Sequence, residues 1–456
     1  MRVHKNFYKS VLLLAGPIIV SQIGHTMVQT VNTMVVGHAT AKPHISLAAV
    51  SLTHSVFMIV LVIGIGIAYG LTPLVAQYAK RDHERCANLL SNSLWLNIIT
   101  SVVLFLLVYY GSMYIMEHSG QDTEVVIEAK PYLFLLGLSI LPLMVFNTFK
   151  QFTEGLGFTK QAMSVSIWGN VINIALAWIF VKGYFGLPEM GVKGVGLATL
   201  IDRSLMMLAM ALYVMKSRHF KSYMQYFSFI NVAKERLRDI AKIGIPVALQ
   251  YVFEVGAFAG ASILAGQIGA RDQAAHQVAI TLVSMTYMMA SGIGSASTIR
   301  VGNSFGDKNA FRIRSFSIAS YHIILIFMAI TALIFSLGYK ILPYTITQDL
   351  EVIALASQLL FIAAFFQFFD GAQVVGLGVL RGMGDVNRPS IITFVAYWVI
   401  GLPLAYYLGI RLNMGVNGIW YGLTIGLLTS SILLYFRYRK MINSLTYKLA
   451  ANRPKA

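Results

Sequence analysis

Runs of about twenty apolar residues recur from one end of this 456-residue chain to the other, and that recurrence leaves few folds open. A helix rising 1.5 Å per residue needs about twenty residues to cross a hydrocarbon core of about 30 Å. No backbone group can be left unpaired in lipid, so a spanning segment is either a helix or a strand of a closed barrel. The runs lack the inside–outside alternation of barrel strands. They predict an all-α polytopic membrane protein with twelve helices, centred near residues 25, 60, 102, 140, 171, 204, 254, 286, 327, 364, 399 and 426. Only 12% of the residues are charged, about half the share in soluble proteins. The first run, from Val11 to Gly37, is too long for the apolar core of a signal peptide and reads as a retained first helix.

The formal net charge of +17 invites a nucleic-acid partner, but its placement argues against one. Arg2, Lys5 and Lys9 precede the first span, and Lys80, Arg81 and Arg85 follow the second. Lys216, Arg218, Lys221, Lys234, Arg236, Arg238 and Lys242 lie between the sixth and seventh. Arg300, Lys308, Arg312 and Arg314 follow the eighth; Arg437, Arg439, Lys440, Lys448, Arg453 and Lys455 follow the last. The alternate loops are poor in Lys and Arg, and the one from Glu117 to Glu128 is acidic. Basic loops stay on the cytoplasmic side, so the pattern predicts a multi-pass protein with both termini cytoplasmic; the sequence shows no organelle signal, which suits a bacterial inner membrane. The bilayer is the partner; nucleic acid is not. The single cysteine, Cys86, is expected in a basic cytoplasmic loop as a solvent-side or interfacial thiol.

The chain repeats itself once. Pro17 and Gly37 in the first span match Pro246 and Gly266 in the seventh. GLGFTK from Gly155 matches GMGDVN from Gly382, and MGVKGVG from Met190 matches MGVNGIW from Met414. All these pairs lie about half a chain apart. Each half then holds six spans in the same orientation, because six is even, giving two parallel lobes about a pseudo-twofold axis along the membrane normal. The expected division is a first lobe over 1–215, a basic cytoplasmic linker over 216–242, and a second lobe with the cytoplasmic tail over 243–456. Within the linker VAKERLRDI is amphipathic and is expected on the membrane surface. Two similar bundles suit alternating access in a transporter.

Two acids interrupt the apolar runs of the second half. Glu254 lies at the centre of GIPVALQYVFEVGAFAGASILAG, and Asp370 in AAFFQFFDGAQVVGLGVL. A carboxylate at mid-bilayer costs about 2.5–3.5 kcal/mol on insertion scales, and packing of an apolar helix requires no such cost. Such a group holds a proton or a cation. We read Glu254 and Asp370 as a pair that binds a coupling cation, Na+ or alternatively H+. Phe366 is one turn before Asp370 on the same helix side, where a ring face can hold a cation.

Several of these segments together resemble a known family over nearly the whole chain. GIPVALQYVFEVGAFA around Glu254, AAHQVAI from Ala274, RVGNSFGDKN from Arg300 and FFDGAQVVGLGVLRGMGD through Asp370 carry the likeness in the second half. GLGFTKQAMSVSIWGNVINIAL from Gly155 and FGLPEMGVKGVGLATLI from Phe185 carry it in the first. The chain resembles the multidrug and toxic compound extrusion (MATE) transporters of the NorM-like branch. The resemblance implies a V-shaped arrangement of the two six-helix lobes, export of organic cations and drugs against inward Na+ or H+, and a cation site in the second lobe at Glu254 and Asp370. It also marks two departures. NorM members have a tyrosine where this chain has Phe366, so the ring is kept and the hydroxyl lost. Related transporters have an aspartate where this chain has Asn32, which cannot titrate, so coupling is expected to rest on the second lobe.

Further residues are candidates for the substrate cavity. Asn32 can hydrogen-bond Gln29, Thr33, Asn170 or Asn173, and Asn170 and Asn173 share a helix face. Asp349, at the outer start of the tenth span, can attract a cationic substrate. Met285 and Met288 are soft enough to accept varied aromatic cations. Asp202 and Arg203 are neighbours on one helix and so do not face each other; they are either a second ion or substrate element or a structural anchor. His276 and Gln277 are expected to be structural. GLGVLRG has no preceding strand and is no dinucleotide loop.

A monomeric secondary antiporter with no resident cofactor is the reading these residues favour, and not an enzyme: neither paired His nor a Ser–His arrangement stands at catalytic spacing. A flippase for lipid-linked sugars, the related alternative, would need several buried Arg or Lys to hold pyrophosphate, and by sequence only Arg203 qualifies.

Overall fold

The computed structural model describes residues 4–40, 42–118, 120 and 122–451. Arg2, Arg453 and Lys455 lie outside these residues, as does the side chain of Lys448. Among the described residues there is no strand, and twelve helices are long and apolar enough to cross a membrane, as the sequence predicts. They are α1 (Lys5–His38), α2 (Pro43–Tyr78), α3 (His83–Glu117), α4 (Thr123–Gly155), α5 (Thr159–Lys182) and α6 (Gly191–Lys216), then α7 (Lys234–Ile268), α8 (Ala270–Gly306), α9 (Ala310–Gly338), α10 (Leu350–Gly382), α11 (Asn387–Arg411) and α12 (Gly415–Tyr447). Polar caps start several of them by satisfying free amides of the first turn. Asp82 accepts from the amide of Arg85 at 2.7 Å, Asp122 from Glu124 at 2.9 Å, and Asn309 from Arg312 at 3.0 Å.

The repeat is written into backbone geometry. Pro17 stands twelve residues after the start of α1, and Pro246 twelve after the start of α7. Gly157 and Gly384 close the matching ends of α4 and α10 with φ of +92° and +79°, a left-handed conformation that costs glycine nothing. The same bonds form at both ends: Phe158 N to Thr153 O at 2.8 Å, and Asp385 N to Leu380 O at 2.9 Å.

The chain forms two compact units, one of residues Val20–Ala248 and one of Met1–Ile19 with Leu249–Ala456. We call them the first and second lobes. They follow the repeat except at the first helix of each half, whose starting segment belongs to the other unit. In the second lobe, Val11, Leu14, Ala15 and Ile18 of α1 are buried in one cluster with Ala290 and Ile293 of α8 and Val375 of α10. The Arg300 guanidinium also reaches the Ser10 carbonyl at 3.2–3.3 Å. In the first lobe, Ile240 of α7 is buried with Leu71 and Val75 of α2. Glycines allow both crossings: a Cβ on Gly66 would lie 2.3 Å from Ala248 Cα, and one on Gly292 would lie 2.5 Å from Ile19 Cγ1.

Two local expectations change. Cys86 is not a loop thiol. The Asp82 cap starts α3 at His83, ahead of Cys86, and the side chain is fully buried with its sulfur 3.9 Å from the Val75 carbonyl. KERLRDI is not a separate surface helix; it forms the first turns of α7, continuous with the membrane span.

Candidate functional site

The second lobe gathers its polar interior from α7, α8, α10 and α11. Helices α8 and α10 pack extensively on each other, because glycines face each other across them. A Cβ on Gly378 would lie 2.3 Å from the Gly294 carbonyl oxygen. The close glycines of GLGVLRG therefore serve helix packing, which small residues permit within a membrane.

Glu254 is buried, 7% exposed. Two phenols donate to its two oxygens: Tyr287 from α8 to Oε2 at 3.4 Å, and Tyr397 from α11 to Oε1 at 3.5 Å. Both are long for O–H···O bonds, so the carboxylate is loosely held. Gln373 of α10 donates to the Tyr397 hydroxyl at 2.9 Å. Asp370, 2% exposed, has one buried oxygen, Oδ2, without a hydrogen-bond partner among the described residues. Both phenols stand within electrostatic reach of both carboxylates. Tyr397 owes its position to a widened π turn over Val395–Gly401, a deformation common at functional sites. Pro403 follows it and has no amide to continue the regular ladder.

Glu254 also borders a narrow cleft, along with Gln250, Tyr287, Ser291 and Arg381. Arg381 donates to Gln250 Oε1 at 3.4 Å, and Gln250 donates to the Val386 carbonyl at 3.2 Å. One acid thus meets an opening while the other lies deeper in the packing. The donor set is entirely of hard oxygens, which suits an alkali cation or a proton.

The other candidates are placed as follows. Phe366 is buried in the apolar core, its ring centroid 5.5 Å from that of Trp420 and 6.2 Å from that of Phe258. Asp349 is an exposed cap of α10, accepting from the amides of Glu351 and Val352 at 2.9 and 3.3 Å. Glu351 pairs with Arg271. Met285 is 52% exposed, and Met288 is half-buried. His276 accepts from the Trp420 indole at 3.2 Å inside the core, a structural use.

In the first lobe Asn32 chooses Asn173, donating to its Oδ1 at 3.0 Å, and Asn173 donates to Thr199 at 3.4 Å. Asn170 Nδ2 has no partner among the described residues; Gly24 lets α1 approach it so closely that a Cβ there would lie 2.5 Å away. Asp202 hydrogen-bonds with Asn173, whereas Arg203 turns away to Ser139 at 2.7 Å. The two neighbours serve different helices.

Sequence reasoning missed Tyr287, Tyr397 and Gln373, which are neutral and carry no insertion penalty to betray them. It also missed Lys150 and Glu154, 4% and 3% exposed. They sit near the end of α4, where a charge reads as an interfacial anchor. Arg203 is therefore not alone among cations in the interior.

Comparison with known proteins is consistent across sequence and fold. The family model described as MatE matches residues 17–179 and again 246–407, once in each half. The chain is 31% identical to the probable multidrug resistance protein NorM of Xylella fastidiosa (strain 9a5c), over 94% of this chain and 91% of that one. It is 34% identical to the multidrug resistance protein NorM of Vibrio parahaemolyticus, over 97% of both. Its fold superposes on the crystal structure of the eukaryotic MATE transporter AtDTX14 with a TM-score of 0.87 at 21% identity, covering 97% of this chain and 99% of that one.

Proposed function

This chain belongs to the MatE family of multidrug efflux transporters, and from that membership we propose that it works as an antiporter, expelling an organic cation as Na+, or alternatively H+, enters. The observation that carries the proposal is the pair of buried acids in the second lobe. Glu254 has two loosely held phenols at its oxygens, and Asp370 has a buried oxygen with no partner among the described residues. A desolvated, under-bonded carboxylate is costly until a cation or a proton joins it. Glu254 and Asp370 hold the coupling ion, with Tyr287 and Tyr397 supplying neutral oxygens. Binding of the ion then favours one access state and binding of the drug the other, and by linkage each weakens the other's hold. The basic loops and the bacterial relatives support a place in the inner membrane with both termini in the cytoplasm, and we read the chain as a monomer.

Proteoliposomes loaded with a fluorescent cationic dye test this reading. A Na+ gradient and a pH gradient are imposed separately, on wild type and on Asp370→Asn. Dye movement driven by Na+ and lost in the variant is the expected result. Movement driven only by the pH gradient, and also lost in the variant, makes the same acids a proton relay. Movement that survives in Asp370→Asn removes that residue from the mechanism, and no movement under either gradient overturns ion-coupled export.

A further inference from the structure

The two acids of the second lobe raise a question of valence that their own oxygens do not answer. Glu254 and Asp370 stand within electrostatic reach of each other. Two carboxylates with neutral oxygens at hand are as much a donor set for Ca2+ as for Na+. A third charge bears on the choice. Arg381, in the last turn of α10, lines the same cleft as Glu254 and stands within electrostatic reach of it.

The helices present this charge to the acid along one wall each. Gln250 and Glu254 of α7 both line the cleft, as do Gly378 and Arg381 of α10; residues three or four apart share a helix face. Gln250, 3% exposed, holds the guanidinium. Its Oε1 accepts from Arg381 Nη2 at 3.4 Å, while its Nε2 donates to the Val386 carbonyl at 3.2 Å. Gln250 is neutral, so this grip orients the charge without cancelling it. Asp385, one turn further along the chain, pairs with Arg437 at 2.6 Å.

A guanidinium has no acceptor to offer a cation, so Arg381 acts on a bound ion through its field alone. Coulomb energy scales with the product of the charges. At one position, Arg381 therefore opposes Ca2+ with twice the energy with which it opposes Na+, and doubling an energy squares its factor in the binding constant. Two carboxylates and one guanidinium leave a net charge that a single monovalent ion cancels.

We propose that Arg381 sets the valence selectivity of the ion site, matching the acid pair to a monovalent cation and holding off Ca2+. The inference rests on the ion-coupling reading and adds to it the reason why a pair of acids takes a monovalent ion.

The test is equilibrium binding of radioactive Na+ to the purified full-length protein, with Ca2+ affinity read from its displacement of that Na+. The quantity compared is the ratio of the two affinities, in which competition by protons at the shared acids cancels. Arg381→Gln is expected to tighten Na+ about fivefold and Ca2+ by about the square of that factor, so that the ratio moves about fivefold toward Ca2+. Arg381→Lys, which keeps the charge, should hold the wild-type ratio within about twofold. If Arg381→Gln does not fold, Gln250→Glu is read in its place: a carboxylate beside the guanidinium offsets its charge and should move the ratio in the same direction. Equal tightening of both ions, an unchanged ratio, or a shift in Arg381→Lys as large as in Arg381→Gln overturns the proposal. Wild-type Na+ binding, and its loss in Asp370→Asn, keeps the two readings apart. If wild type binds Na+ and only the ratio fails to move, the selectivity role alone falls; if wild type binds no Na+, the Na+ site falls and this role with it.

Discussion

Gln373 donates through Nε2 to the hydroxyl of Tyr397 across 2.9 Å, which leaves the phenolic proton directed at Glu254. Loss of a neutral hydrogen bond costs about 0.5–1.5 kcal/mol, and loss of one to a charged group about 1.5–3 kcal/mol. Gln373→Leu should therefore raise the Na+ concentration for half-maximal dye efflux roughly two- to tenfold, and Tyr397→Phe roughly ten- to a hundredfold. If both variants keep the wild-type Na+ dependence in proteoliposomes, the phenol is no part of the ion site.

Glu254→Gln removes a buried charge and keeps its shape. Since an unpaired buried carboxylate destabilises a fold, this variant should melt at or above the wild-type temperature while losing ion-driven efflux. A variant that loses transport and also melts much lower would assign Glu254 a structural role. Size-exclusion profiles after heating, read beside dye efflux, separate the two.

Gly66→Ala should destabilise more than Gly292→Ala. The new methyl at 66 meets backbone, 2.3 Å from Ala248 Cα, whereas at 292 the nearest atom is Ile19 Cγ1 at 2.5 Å and the backbone comes no nearer than 3.0 Å. Overpacking costs about 1–3 kcal/mol when the backbone must shift. The same heating assay ranks the pair, and the reverse order would contradict the close crossing of α2 and α7.

Tyr223 lies between the membrane spans, where burial pushes its phenol up to about 12, and it donates to the Ala79 carbonyl at 2.7 Å. The folded protein holds this proton to higher pH than the unfolded chain, whose phenols ionise near 10. The stabilisation it provides is complete below pH 10 and lost as pH rises toward 12. Tyr223→Phe should cost about 0.5–1.5 kcal/mol at neutral pH, and the gap from wild type should close across that alkaline window. Thermal melts at pH 7.5, 9, 10.5 and 11.5 measure it; a gap that widens with pH would reverse the assignment.

Cys86 is 0% exposed. A membrane-impermeant maleimide should label it only after denaturation in detergent, on intact inside-out vesicles as on purified protein. Rapid labelling of the native chain would mean that the start of α3 is open to water.

Spans and acids were legible for one reason: a charged residue or a loop stands out against apolar runs. Glu254, Asp370 and the twelve helices follow from that contrast, and the internal repeat from Pro17 with Pro246 and Gly157 with Gly384. Partners of the acids were not legible. Tyr287, Tyr397 and Gln373 are ordinary residues for a helix interior, and only the π turn at Val395–Gly401, invisible to a 3.6-residue periodicity, brings Tyr397 onto Glu254. Lys150 was lost because burial near a helix end depends on neighbouring helices and not on hydropathy. Cys86 was misplaced because basic neighbours mark a loop, while the Asp82 cap ends that loop before the cysteine.

The exchange of starting segments between α1 and α7 sets an order of assembly. The segment up to Ile19 leaves the ribosome well before the surfaces that bury it, which lie on α8 and α10 and are made more than two hundred residues later. The first lobe, in turn, lacks Ile240 and Ala248 until the beginning of α7 has been synthesised. Neither half of the gene therefore encodes a finished lobe. A break anywhere in 217–233 would yield two polypeptides, each carrying a strip of apolar helix meant for the other and each missing a strip of its own. Such fragments should insert singly and mature only together, which makes the duplicated protein one cooperative unit of biogenesis despite its two-part pedigree.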